Sequence, residues 1–144
     1  MRRISPAPPV HQGTHWLIEH AYPVGLLGWM VIVLRRHAAA LHELTPAEFR
    51  ELGELLAALV PLLRELCEAE KEYVSCFAEA EGFRHVHFHV VAVRPELPRH
   101  LRGAGSMALL TVKESGAVPA AEVRQLCATL RTRMERDLRP HPCR

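Results

Sequence analysis

The spacing of apolar and polar positions changes period along this chain, and the changes divide it into strands and helices. Residues 1–13 are rich in proline and polar groups and are expected to form a disordered lead. The segment 16–20, Trp-Leu-Ile-Glu-His, fits a short strand that Tyr22-Pro23 breaks. Gly25 and Gly28 bracket a turn. Residues 29–34 form a continuous apolar run with β-branched members, which suits a buried strand. The run ends in the polar cluster Arg35-Arg36-His37.

A strong local signal follows. Thr45-Pro46-Ala47-Glu48 is a capping box with proline at the first helical position. Behind it, Phe49, Leu52, Leu56, Leu59, Leu63 and Leu66 recur at helical spacing and predict one apolar face. Pro61 is expected to kink this helix or split it near Val60. Residues 73–77 read as a strand, 79–82 as a polar turn, and 83–93 as the longest strand, closed by Pro95 and Pro98. Residues 107–112 suit a last short strand. A second helix is predicted over 119–138, with Val123, Leu126, Cys127, Leu130 and Met134 on one side. The helices are too few to alternate with the strands, so the pattern favours α+β over a doubly wound sheet. Residues 14–138 read as one domain and 139–144 as a flexible tail.

Composition narrows the classes. The 144 residues fit one domain, and 49% hydrophobic content is enough for a core. A net charge of +2, mixed along the chain, gives no electrostatic footprint for nucleic acid. Small anionic ligands need only a local positive site. The cysteines, Cys67, Cys76, Cys127 and Cys143, form no CxxC pair and match no zinc spacing. Reduced thiols in a cytoplasmic protein are the expectation. No apolar run approaches the ~20 residues of a membrane span. Arg2 and Arg3 precede Ser5-Pro6-Ala7-Pro8-Pro9, where a secretory signal would have an apolar core.

The segment His85-Val86-His87-Phe88-His89-Val90-Val91 carries the chemistry. In a strand the three histidines line one face, while Val86, Phe88, Val90 and Ala92 line the other. Imidazole titrates near neutrality, with an unperturbed pKa of about 6.5. A neutral ring can attack phosphorus, and a protonated ring can donate to a leaving group. Adjacent rings repel as cations, which pushes their titrations apart. The competing reading is a metal site. His85 and His89 would lie ~13 Å apart along a strand. A metal over His87 would then have its outer ligands nearly opposite one another, unlike a tetrahedral zinc site. Trp29 can line a base pocket or sit in the core.

HxHxH followed by two apolar residues is the motif of the histidine-triad family, and the chain resembles that family over roughly residues 13–135. The segment 28–37, Gly-Trp-Met-Val-Ile-Val-Leu-Arg-Arg-His, resembles the family strand that leads to a basic pair and a fourth histidine. Glu79-Ala80-Glu81-Gly82-Phe83-Arg84 leads into the triad as in bacterial members similar to diadenosine polyphosphate hydrolases. Ala92-Val93 and Leu34 stand where many relatives have proline-containing segments. The paired N-terminal cysteines of zinc-containing relatives are absent.

The resemblance implies an antiparallel sheet with one long helix and a C-terminal helix. It implies that His87 attacks the α-phosphorus and forms a nucleotidyl-histidine, with His89 near the leaving group. His85 and His37 would support the site. Gly82 and Arg84, in the loop before the triad, and Trp29 would contact the substrate. No cofactor or catalytic metal is implied. The expected substrate is a purine nucleotide or dinucleotide with a phosphoanhydride, and the expected assembly is a homodimer. A phosphoramidate hydrolase, a nucleotide-binding module without catalysis and a metal-binding protein are the alternatives.

Overall fold

A computed structural model describes residues 5–140. Five strands form one antiparallel sheet: β1 (His11–Gln12), β2 (Trp16–His20), β3 (Trp29–Leu34), β4 (Lys71–Ser75) and β5 (His87–Val93). Their order across the sheet is β1-β2-β3-β5-β4. Two long helices, α1 (Pro46–Leu66) and α2 (Ala120–Asp137), complete the α+β fold. No helix among the described residues is long and apolar enough to cross a membrane.

The turn between β2 and β3 requires glycine at position 28. Gly28 has φ +87°, and a Cβ there would lie 2.8 Å from Cys67 Sγ and 3.0 Å from Ala92 Cβ. Only a residue without a side chain tolerates both the dihedral and the space.

Helix α1 starts as the sequence predicts. Thr45 Oγ1 accepts from the Glu48 N–H at 3.2 Å, and Glu48 Oε2 accepts from the Thr45 N–H at 2.8 Å. The buried face differs from the predicted stripe: Leu52, Leu55, Leu59, Leu62 and Leu63 are buried, while Phe49 is exposed. Pro61 does not split the helix. Its ring is on the exposed side, where water can satisfy the Ala57 carbonyl left without an N–H partner. In α2, Val123, Leu126, Cys127, Leu130 and Met134 are buried, as their spacing predicts.

Both helices share one core with one face of the sheet, including Trp16, Ile18, Met30, Ile32, Val86, Val90 and Ala92. The opposite face bears a second, smaller cluster of Val24, Leu26, Trp29, Val91 and Val93. Met107, Leu109 and Leu110 pack against that cluster. They belong to a 3₁₀ segment, Gly103–Thr111, where a strand was expected. The strand expected over 83–93 begins only at His87, because the Val86 N–H bonds to the Ala38 carbonyl, outside the ladder.

Within the described residues, the segment expected to be a disordered lead is ordered. Residues 1–4 lie outside the described residues, but β1 pairs with β2 and Val10 is 2% exposed. Arg131 in α2 donates to the Pro9 and Pro8 carbonyls at 3.1 and 3.0 Å, tying the segment down. Of the expected tail, residues 141–144, with Cys143, also lie outside the described residues.

Candidate active site

The register of the sheet builds the site. Across β2, β3, β5 and β4, Glu19, Val31, His89 and Ser75 are direct neighbours, and Leu17, Val33 and His87 form the adjacent row. Alternation of side chains puts both rows on the face opposite the helices. The 3₁₀ segment covers the Trp29 end of that face. Leu17, Val31 and Val33, farther along, are only half-buried.

His85, His87 and His89 come together as predicted. His87 and His89 are buried, 7% and 6% exposed, with ring centroids 4.9 Å apart at 81°. His85 lies just before β5, and its Nε2 hydrogen-bonds the Leu34 carbonyl at the end of β3. His87 Nδ1 lies 2.7 Å from the His85 carbonyl. A carbonyl only accepts, so His87 carries its proton on Nδ1 and, when neutral, its lone pair on Nε2. The backbone thus selects the tautomer that can attack an electrophile from Nε2.

His37 is exposed, and its ring stacks on His85 with centroids 5.5 Å apart and an 18° interplanar angle. It joins the outer end of the triad, beside His85. Gly82 and Arg84 are exposed in the turn before the triad, where Gly82 adopts φ +77° and the Phe83 N–H donates to the Ala80 carbonyl at 2.9 Å. Trp29 has no exposed surface, so it presents nothing for a base to stack on. It meets the triad through its indole N–H, which donates to His89 Nδ1 at 3.0 Å.

From the sequence, Phe83 opens the strand expected over 83–93 and, like Trp29, can line a base pocket or sit in the core. Its ring centroid is 4.8 Å from that of His87 and 6.1 Å from that of His85, and the residue is 44% exposed. An aromatic residue in a polar turn gives no periodic signal, and only the tight turn at 80–83 swings it over the triad. Cys76 follows β4, and the His87 backbone beside it draws the thiol pKa down. Burial nonetheless pushes its thiol up, which keeps it protonated and makes it a poor rival nucleophile. Among the described residues, no three His, Cys, Asp or Glu side chains converge as a metal cage. A groove of about 560 Å³ between α1 and α2, lined by Ala57, Pro61 and Arg133, lies on the helix side of the sheet.

At the level of sequence, no family model matches the chain and no curated protein matches it. Solved structures do match. A histidine triad protein from Bradyrhizobium japonicum superposes with a TM-score of 0.69 at 18% identity, over 88% of this chain and 90% of that one. A histidine triad protein from Sinorhizobium meliloti gives 0.62 at 21% identity, over 90% and 88%. A zinc-bound histidine triad family protein from Mycobacterium smegmatis gives 0.63 at 15% identity, over 90% and 86%. The fold is therefore that of the histidine-triad proteins.

Proposed function

We propose that this chain is a nucleotide hydrolase or transferase of the histidine-triad class, cleaving a phosphoanhydride through a nucleotidyl-histidine on His87. The observation that carries the reading is the 2.7 Å bond between His87 Nδ1 and the His85 carbonyl, which leaves the Nε2 lone pair for attack. That lone pair forms an N–P bond to the α-phosphorus. The P–O bond to the leaving phosphate breaks, and its electron pair departs with the oxygen. Water then attacks the same phosphorus, the N–P bond returns its pair to His87 Nε2, and a nucleoside monophosphate is released. His89, 4.9 Å from His87 between ring centroids, is placed to assist the leaving group.

The rest of the face suits a nucleoside. Leu17, Val31 and Val33 offer a half-buried apolar floor, and Glu19, also half-buried, can accept from hydroxyl or amino groups. Arg84 and Gly82, exposed in the turn before the triad, are the residues this reading gives to the substrate phosphates. The reading includes a homodimer, supported by the outer edge of β4, the last strand in the sheet, with Val74 and Phe77 exposed beside it. Sedimentation of the pure protein tests that part separately.

The deciding experiment is product analysis of wild-type and His87→Ala protein incubated with diadenosine tetraphosphate and with adenosine phosphoramidate. Release of AMP by the wild type alone supports the reading, and the better substrate identifies the leaving group. Binding of nucleotide with no product from either protein would replace it with a binding module. Equal turnover by both proteins would remove His87 as nucleophile.

A further inference from the structure

The geometry assigns Trp29 as a positioning residue that holds His89 as a neutral imidazole with its proton on Nε2. The assignment rests on the proposed reaction for its purpose, but on hydrogen-bond chemistry for its content. Indole nitrogen is a donor with no lone pair to offer. Its 3.0 Å contact with His89 Nδ1 therefore requires a lone pair on that nitrogen. The single proton of neutral His89 must then be on Nε2. Protonating Nδ1 would set two N–H groups against each other inside a buried contact, because Trp29 is 0% and His89 6% exposed.

Trp29 cannot easily turn away. It is enclosed by Val24, Leu26, Val91 and Val93, with the 3₁₀ segment over them. Its strand neighbour across the sheet is Val91, two residues beyond His89, so the ladder fixes both partners of the bond. The rings meet edge-on, with centroids 5.8 Å apart at 80°.

The result is a pair of adjacent imidazoles in opposite tautomers. A carbonyl gives His87 the Nδ1–H form and a lone pair on Nε2. An indole gives His89 the lone pair on Nδ1 and the proton on Nε2. One ring is set to attack and the other to donate. His89 then contributes a hydrogen bond from a neutral ring to the phosphoryl or leaving oxygen. It does so without bringing a second positive charge beside His87 as the N–P bond forms.

The test combines Trp29→Phe with nitrogen NMR of the imidazoles, since pyrrole-type and pyridine-type nitrogens have distinct shifts. In the wild type, His89 is expected to show a pyrrole-type Nε2 and a pyridine-type Nδ1. In Trp29→Phe, which keeps an aromatic ring but removes the donor, His89 should populate both tautomers. With diadenosine tetraphosphate, kcat should fall ~10–100-fold while KM changes little. A wild-type His89 with its proton on Nδ1 overturns the assignment, whatever substrate the protein uses. So does a Trp29→Phe variant that loses stability but keeps the wild-type tautomer and kcat. The wild-type spectrum decides alone if the variant does not fold. Failure of the hydrolase reading is distinguishable, because it abolishes turnover without changing the spectrum.

Discussion

Two tryptophans are fully buried on this sheet, and they differ in what takes the indole proton. Trp16, on the helix-covered face, donates to the backbone carbonyl of Glu48 in α1 at 2.8 Å and meets Phe88 edge-on. Trp29, on the opposite face, donates to the imidazole of His89. The first bond joins two pieces of scaffold, and its acceptor has one chemical state. The second joins scaffold to a titratable ring, and its acceptor has several. Equal burial can therefore serve the scaffold on one face and the state of a titratable ring on the other.

The largest expected effects come from substituting one residue on each face. Leu59 in α1 is completely buried, so Leu59→Ala should cost about 2–5 kcal/mol of unfolding free energy. Turnover per folded molecule should not change. His87→Ala should do the reverse, lowering turnover at least ~10³-fold while shifting stability by no more than about 1 kcal/mol. Denaturant unfolding and initial rates on the same samples check both. Loss of specific activity in Leu59→Ala would mean that the faces are coupled through the sheet.

Histidines sharpen the contrast at intermediate size. His20 ends β2 on the helix-covered face and is 2% exposed. Its Nδ1 donates to the Ala21 carbonyl at 2.7 Å, and its Nε2 accepts from the Gly28 N–H at 3.0 Å. Burial pushes its pKa down to about 4 from an ordinary 6.5, against a smaller upward effect of the Ala21 bond. The unfolded chain therefore binds this proton more readily than the fold does. The contribution is fully present above pH 6.5 and is lost as pH falls toward 4, by roughly 3 kcal/mol. His11, also lowered by burial, acts in the same direction. His20→Asn should thus flatten the pH dependence of stability between 6.5 and 4 without removing it. An unchanged slope would show that His20 is already accessible to protons in the native state.

Local signals in the sequence predicted the parts of this fold that depend on local chemistry. The cap at Thr45, the buried side of α2 and the common face of the three histidines are each set within a few residues. The remaining features depend on distant partners. β1 forms because β2 and Arg131 hold a proline-rich segment that has no strand pattern of its own. The run 107–111 takes a 3₁₀ path and packs over the cluster of Trp29 and Val91, a contact made with residues distant in sequence. In α1 the pairs Leu55-Leu56 and Leu62-Leu63 allow two apolar stripes, and only the packed sheet selects between them. The sequence leaves Trp29 either lining a base pocket or sitting in the core. It does not reveal that a 3₁₀ segment closes one end of the histidine face, which buries the residue and leaves its indole N–H to His89.

The smallest effect concerns the Arg36–Glu48 pair, which links the helix cap to the loop beside the site. Arg36 Nε and Nη2 donate to Glu48 Oε1 and Oε2 at 2.5 and 2.8 Å, and Nη2 also donates to the Glu43 carbonyl at 2.7 Å. The guanidinium holds the Glu48 carboxyl down at about 2, so the carboxylate persists through the whole window in which His20 titrates. This pair fixes the loop that carries His37 against His85. Thr45→Ala removes the side-chain half of the cap but leaves the Arg36–Glu48 pair in place. It should cost about 1 kcal/mol, read as a lower urea midpoint with an unchanged slope. Turnover should stay at the wild-type level, because the pair, and not the threonine, holds the His37 loop. A clear fall in kcat would show that the cap positions His37 as well as starting the helix, and the division between a structural face and a chemical face would then fail at this loop.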